Sequence, residues 1–214
     1  IDQHVDQEQQ VFFMRLEGEF EELFYNGLDF KAEFKKKIAD NFKMSWELYT
    51  AAYKPKMALF VSKYDHCLYD ILGRYKSGEL TLDIPLIVSN HKDLKPIADS
   101  FDIPFYHVPV SKVTAVEAEK KHLELLSEHQ IDFVVLARYM QIIPEGIIKK
   151  YSHKIINIHH SFLPAFVGAK PYHSAYKRGV KIIGATSHYV TAELDAGPII
   201  EQDVTRVSHT HSIN

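Results

Sequence analysis

Short apolar runs alternate with helical stretches through most of this chain, and that rhythm restricts it to few architectures. Strand-like runs fall at Met57–Ser62, Ile84–Ser89, Phe105–Val110, Phe133–Leu136, Ile155–Ile158 and Ile182–Val190. Between the earlier ones lie helical patterns around Cys67–Lys76, Leu94–Phe101, Val113–His129 and Pro144–Tyr151. Strands of nearly continuous apolar character, separated by helices, predict an α/β fold with a mostly parallel sheet covered on both faces. Crossovers in such units are right-handed, and ligands bind beyond the carboxyl ends of the strands. Functional residues are therefore expected just after each strand.

The first fifty residues follow another pattern. Gln10–Phe20 reads as a strand rich in β-formers, and Asp29–Phe42 spaces Phe30, Phe34, Ile38 and Phe42 four apart, as an amphipathic helix does. Ser45–Ala51 reads as a closing strand and Tyr53–Pro55 as a linker. The division predicted is residues 1–52 and 56–214. A block of strand, helix and strand is too small to bury its own core, and the chain stops in a polar run. Both ends are therefore expected to continue in the full protein.

Composition narrows the function classes. A formal charge of -3 gives no basic footprint for nucleic acid or an anionic membrane. No apolar run approaches the roughly 20 residues that span a bilayer. The opening IDQHVDQEQQ lacks a signal peptide's basic start and apolar stretch. The single cysteine, Cys67, cannot form an internal disulfide, which fits a cytoplasmic protein. The 13 histidines keep a metal-dependent hydrolase open as an alternative, with His153, His159, His160, His173 and His188 as its ligand pool. No HExxH or Cys-x-x-Cys spacing supports it, and no metal or cofactor is assigned.

One strand end is unusual. Ile155–Pro164 reads IINIHHSFLP, and alternation places Asn157 and His159 on one face of the strand. Farther on, Ser187–Ile200 reads SHYVTAELDAGPII, with Asp195 in a glycine-containing loop. An amide, an imidazole and a carboxylate can together run acyl chemistry. The amide donates to a developing oxyanion, the imidazole moves protons, and the carboxylate orients water or a charged intermediate. Spacing alone leaves the alternative that Asn157 caps a turn, His159 is a buried packing residue and Asp195 belongs to a common turn.

Asn157-Ile158-His159 with Ser161, Leu163 and Pro164 resembles the signature of the folate-dependent formyltransferases, as does His188 followed by Asp195-Ala196-Gly197 and Ile199-Ile200. The resemblance runs from about Met57 to Val207, with separated motifs in the right order. It implies a Rossmann-like catalytic sheet in which Asn157, His159 and Asp195 are catalytic and His188 has a supporting role. It also implies that the Leu136–Ile143 loop holds the folate, through Arg138, Tyr139, Met140, Gln141 and Ile143. Cys67 is assigned to packing.

The nucleotide-binding relatives place a glycine-rich phosphate cradle after their first strand. Here Tyr64, Asp65 and His66 occupy that place; Asp65 repels a phosphate and the run lacks glycine's backbone freedom. That segment, with Gly168–His173 and His188–Val190, resembles the formyltetrahydrofolate deformylases. The resemblance implies hydrolysis of 10-formyltetrahydrofolate to tetrahydrofolate and formate, with formate supplied to purine biosynthesis. It further implies that residues 1–52 are part of a ferredoxin-like (ACT) α+β domain taking a small effector. Edge strands and the partial first block point to a homo-oligomer. Alternatives left open are another acceptor, such as initiator tRNA or a nucleotide-linked sugar, and an inert regulatory protein.

Overall fold

The computed structural model describes residues 1–19, 27–165 and 170–213 of the chain. It divides into two units, Ile1–Tyr53 and Lys54–Asn214. In the first, β1 (Asp2–Asp6) pairs antiparallel with β2 (Val11–Arg15). Helix α1 (Gly27–Phe34) runs directly into a π-helical turn over Lys35–Ala39, where Asp40 N–H donates to Lys35 O. The amphipathic helix expected to reach Phe42 thus ends early: Phe42 is 76% exposed, beyond the last turn. The closing strand expected at Ser45–Ala51 does not form. Instead Trp46 packs its ring 4.6 Å from that of Phe34, so this segment is held by a ring contact rather than by a ladder. Phe20, the end of the expected first strand, lies outside the described residues.

The second unit is the predicted α/β sheet. Its elements are β3 (Lys56–Val61), α2 (His66–Ser77), β4 (Asp83–Ser89), α3 (Lys95–Ser100), β5 (Phe105–His107), α4 (Ala115–Glu128) and β6 (Phe133–Ala137). There follow α5 (Glu145–Lys150), β7 (Ile155–His159), α6 (Pro171–Arg178), β8 (Ile182–Tyr189) and β9 (Ile199–Arg206). The seven strands stand in the order β5-β4-β3-β6-β7-β8-β9. Pairings from β5 to β7 are parallel, whereas β7/β8 and β8/β9 are antiparallel. The sequence reading marked neither α6 nor β9. Strand β9 is mostly exposed at the sheet edge, so it carries no apolar run to betray it.

Alternation within β3 explains the two-sided core. Met57, Leu59 and Val61 pack with Leu68 and Leu72 of α2 and Ala98 of α3. Ala58 and Phe60 face the other way, against Leu125 and Leu126 of α4 and Ile147 of α5. A strand buried on both faces reads as a continuous apolar run, which is why β3 and β4 were visible in the sequence. Each fully buried Leu contributes about 1.5–3 kcal/mol relative to exposure. Helix α2 then stops at Gly78, whose φ of +83° suits a residue without a Cβ.

The order of the strands sets the place for chemistry. The chain moves outward from β3 to β4 and β5, then returns to add β6 on the other side of β3. The reversal leaves a crevice at the carboxyl ends of β3 and β6, with the end of β7 beside it.

Candidate active site

The register of two strands assembles the predicted residues. In the antiparallel β7/β8 pair, Asn157 stands opposite His188 and His159 opposite Thr186. Directly opposed side chains lie within contact range. Asn157 Nδ2 accordingly lies 3.2 Å from His188 Nε2. His188 Nδ1 sits 3.0 Å from the carbonyl of Tyr189 and donates to it, which leaves Nε2 facing the Asn157 amide. That leaves the second N–H of Asn157 for another acceptor.

Asp195 enters from the β8–β9 connection. Its Oδ2 is 3.4 Å from His159 Nδ1 and its Oδ1 is 3.8 Å from His188 Nε2. The side chains are 8%, 9% and 3% exposed, in the order Asp195, His159 and His188, so the carboxylate is held in a largely dry setting between two imidazoles. The loop that delivers it is tightly constrained. A Cβ on Gly197 would collide with the carbonyl of Tyr189, so only glycine lets the backbone pass there. Tyr189 N–H donates to Pro198 O at 2.9 Å, and Thr191 Oγ1 donates to Glu193 O at 3.0 Å.

Asp195 and Arg138 share a left-handed backbone, with φ of +56° and +57°. Other positive-φ residues, such as Asp102, Gln130 and His153, close helix ends, where that conformation is ordinary. Asp195 and Arg138 follow strands instead, and the conformation turns both chains sharply at the site.

A cavity of about 310 Å³ is lined by Asn157, His159, His188 and Asp195 together with the whole Arg138–Ile143 segment. All nine residues expected at the site therefore border one hollow. They differ in how they do so. Tyr139 is 7% exposed, packs against Phe60 at 5.3 Å between ring centres, and has its hydroxyl pushed up to about 12 by burial. Ile143 is also buried in the core, whereas Met140 is 55% exposed. A wider hollow of about 810 Å³ opens to solvent between α4 and α5, among charged side chains such as Glu119 and Lys120. None of the expected site residues lines it.

Positioning residues had no signal in the sequence. Ser62 Oγ donates to Asn90 Oδ1 at 2.6 Å and accepts from Met140 N–H at 3.1 Å, joining the ends of β3, β4 and β6. Thr186, fully buried, donates to Ser161 O at 2.7 Å and accepts from Leu163 N–H and Gln202 Nε2, each at 3.0 Å. This second network fastens the segment after β7 to β8 and β9. Buried hydroxyls are worth attention as a class, because an unpaired one is costly.

His160 stacks on His159, with ring centres 6.0 Å apart and 7° between planes. Burial holds its pKa down, and the nearby charges of His159, Arg138 and His66 add to this, against an opposing pull from Asp195. Among the described residues, no three His, Cys, Asp or Glu side chains converge as metal ligands. Of the other histidines in that pool, His153 packs against the Tyr189 ring, 5.8 Å between centres. Burial raises the Cys67 thiol above its ordinary pKa, the reverse of an activated nucleophile. Gly168 and Ala169 lie outside the described residues.

Comparison with known proteins identifies the family. The sequence profile of the family described as formyl transferase matches residues 55–214. The formyltetrahydrofolate deformylase of Synechocystis sp. is 49% identical over 213 residues, covering 100% of this chain and 74% of that protein. The deformylase of Bacillus subtilis is 46% identical over 198 residues, covering 92% of this chain and 66% of its own length. A crystal structure of a formyltetrahydrofolate deformylase from Pseudomonas syringae pv. tomato superposes with a TM-score of 0.91 at 49% identity, over 99% of this chain and 71% of that one. The chain thus spans about two thirds to three quarters of the length of these relatives. Profile, identity and superposition all converge on one assignment: this chain belongs to the formyl transferase family and, within it, to the formyltetrahydrofolate deformylases.

Proposed function

We propose that this chain hydrolyses 10-formyltetrahydrofolate to tetrahydrofolate and formate, with Asn157, His159 and Asp195 as its catalytic residues. The observation that carries the reading is the buried Asp195 carboxylate, 3.4 Å from His159 on the cavity that Asn157 also lines. Folate is the substrate and no cofactor is assigned.

In this reading the formyl oxygen accepts the second N–H of Asn157. Water held by Asp195 and His159 adds its oxygen to the formyl carbon and loses a proton to this pair. The resulting tetrahedral oxyanion is stabilised by the Asn157 donor, in a setting where water competes little. Collapse breaks the bond between carbon and the folate nitrogen. His159, or a water relayed by Asp195, returns a proton to that nitrogen, and formate departs. His188 holds the Asn157 amide in place. Arg138, Tyr139, Met140, Gln141 and Ile143 form the folate-binding segment, with the buried Tyr139 and Ile143 as its anchors in the core.

Water is the acceptor because the loop after β3 carries Tyr64, Asp65 and His66, without the glycines that cradle a phosphate and with the Asp65 carboxylate to repel one. The unit Ile1–Tyr53 is read as part of an ACT-like regulatory domain taking a small effector, in a cytoplasmic homo-oligomer that supplies formate to purine biosynthesis. Among the described residues, no helix is long and apolar enough to cross a membrane. The test is to incubate the full-length protein with 10-formyltetrahydrofolate, with and without glycinamide ribonucleotide, and measure formate. Formate without the ribonucleotide supports the hydrolase. Turnover only in its presence would make the protein a transferase.

A further inference from the structure

Asn157, His159 and Asp195 contain nothing that tells water from an amine. The same donor, base and carboxylate would serve either nucleophile, and an amine is the stronger one. If the site is hydrolytic, as proposed above, exclusion of amines has to reside elsewhere in the molecule.

The crevice between the carboxyl ends of β3 and β6 is where a second substrate of an open α/β sheet is expected. In this chain its own side chains bridge it. Arg138, directly after β6, lays its guanidinium 4.0 Å from the centre of the Tyr64 ring in the loop after β3. Its Nη1 reaches to 3.4 Å from Nε2 of His66, the first residue of α2. The Arg138 Nε is shut off from solvent without a hydrogen-bond partner among the described residues, a sign of how closely this side chain is packed. The left-handed backbone of Arg138 sends it across the crevice, and Met140 N–H, bonded to Ser62 at the end of β3, fastens the loop there. Arg138 also lines the cavity that holds Asn157, His159 and Asp195, so the bridge reaches that cavity at its Arg138 end.

We infer that the Tyr64–Arg138–His66 bridge is the specificity element of the reaction: it closes the β3/β6 crevice to amine-bearing acceptors and leaves water as the nucleophile. An amine admitted through an opened crevice would add its nitrogen to the formyl carbon. The bond to the folate nitrogen would break, that nitrogen would take the amine's proton, and an N-formyl amide would leave in place of formate.

The experiment uses the full-length protein, substrate labelled with ¹³C in the formyl group, and glycinamide as an amine larger than water, with products resolved by NMR. The unmodified protein is expected to yield labelled formate alone. Tyr64→Ala, and Tyr64→Ala combined with Arg138→Ala, are expected to raise the ratio of N-formylglycinamide to formate by about tenfold or more. Tyr64→Phe keeps a ring beneath the guanidinium and is expected to stay with formate. Tyr64 is 54% exposed and lines none of the cavity around the reacting groups, so Tyr64→Ala carries the test even if the double variant turns over poorly. A product ratio unchanged in Tyr64→Ala would overturn the bridge as a specificity element. Absence of formate from the unmodified protein would overturn the hydrolytic reading instead, which keeps the two failures apart.

Discussion

The two halves of the catalytic sheet are held together by different forces. From β5 to β7 the strands are parallel and the core on either side is apolar apart from His122, with the buried Ser62, Ser89 and Asn90 gathered at the strand ends. From β7 to β9 they are antiparallel, and the buried contacts there are polar: Thr186 to Ser161, Leu163 and Gln202, and Asn157 to His188. Apolar packing is non-directional and tolerates small shifts at the cost of stability. Hydrogen bonds are directional, so a polar half holds its side chains to one geometry. The difference teaches that the parallel half supplies most of the stability, while alignment comes from polar contacts, which are spread between β7 and β9 and confined in the parallel half to the strand ends at Ser62 and Asn90.

That contrast can be broken at specific residues. Asp195→Asn keeps the shape of the polar half but removes the charge between His159 and His188. Turnover should fall on the order of 10²–10⁴-fold while folate binding, measured by titration calorimetry, is retained. Asn157→Ala removes the oxyanion donor and should lower kcat on the order of 10²–10³-fold. Unchanged formate release in either variant would remove that residue from the mechanism. In the parallel half, Leu72→Ala empties a fully buried site between α2 and β3. It should cost about 2–5 kcal/mol of stability in denaturant unfolding, with kcat nearly intact.

His122 sharpens the comparison from the side of pH. It is 2% exposed in the apolar core beside Phe60, both ring nitrogens lack a hydrogen-bond partner among the described residues, and burial lowers its pKa from 6.5 to about 4. The folded pKa lies below the unfolded one, so the unfolded chain binds the extra proton as pH falls. The stabilisation from a neutral His122 is therefore complete above pH 6.5 and lost between 6.5 and 4. The loss should be on the order of 3 kcal/mol at the acid end. In His122→Leu, unfolding midpoints recorded across that window should show a flatter acid limb; an identical limb would assign the acid sensitivity to other groups. The smallest effect is expected at Thr186→Val. Losing that hydroxyl leaves the Leu163 N–H without its acceptor, at about 1–3 kcal/mol. Here kcat should fall along with stability, unlike Leu72→Ala. A Thr186→Val protein that is destabilised but fully active would erase the distinction between the halves.

Legibility in the sequence followed the same division. Strands β3, β4 and β6 announced themselves because burial on both faces demands an unbroken apolar run. Strand β9, exposed along nearly its whole length, had no such pattern. In the first unit, the periodic spacing of Phe30, Phe34, Ile38 and Phe42 overran the real helix, because spacing does not register the π-helical turn that ends it. The closing strand at Ser45–Ala51 failed for a related reason: its β-forming residues found a ring partner in Phe34 rather than a strand to pair with.

The chemistry-bearing residues Asn157, His159 and Asp195 were legible through their resemblance to the formyltransferase signature, since spacing alone left a turn cap, a packing histidine and a common turn open. Their meeting was not. Asn157 touches His188 because β7 and β8 run antiparallel in one register, and a slip of one residue would turn every side chain to the other face. Ser62, Asn90 and Thr186 look in the sequence like any other small polar residues, and acquire their roles only when strands distant along the chain become neighbours. Local composition and periodicity thus set the order of elements and the apolar core, because each strand carries its own burial pattern. Pairing register, the reversal of strand order beside β3 and the bridge from Arg138 to Tyr64 arise from contacts between segments far apart in the chain. No local pattern encodes those contacts, and the alignment of the site depends on them.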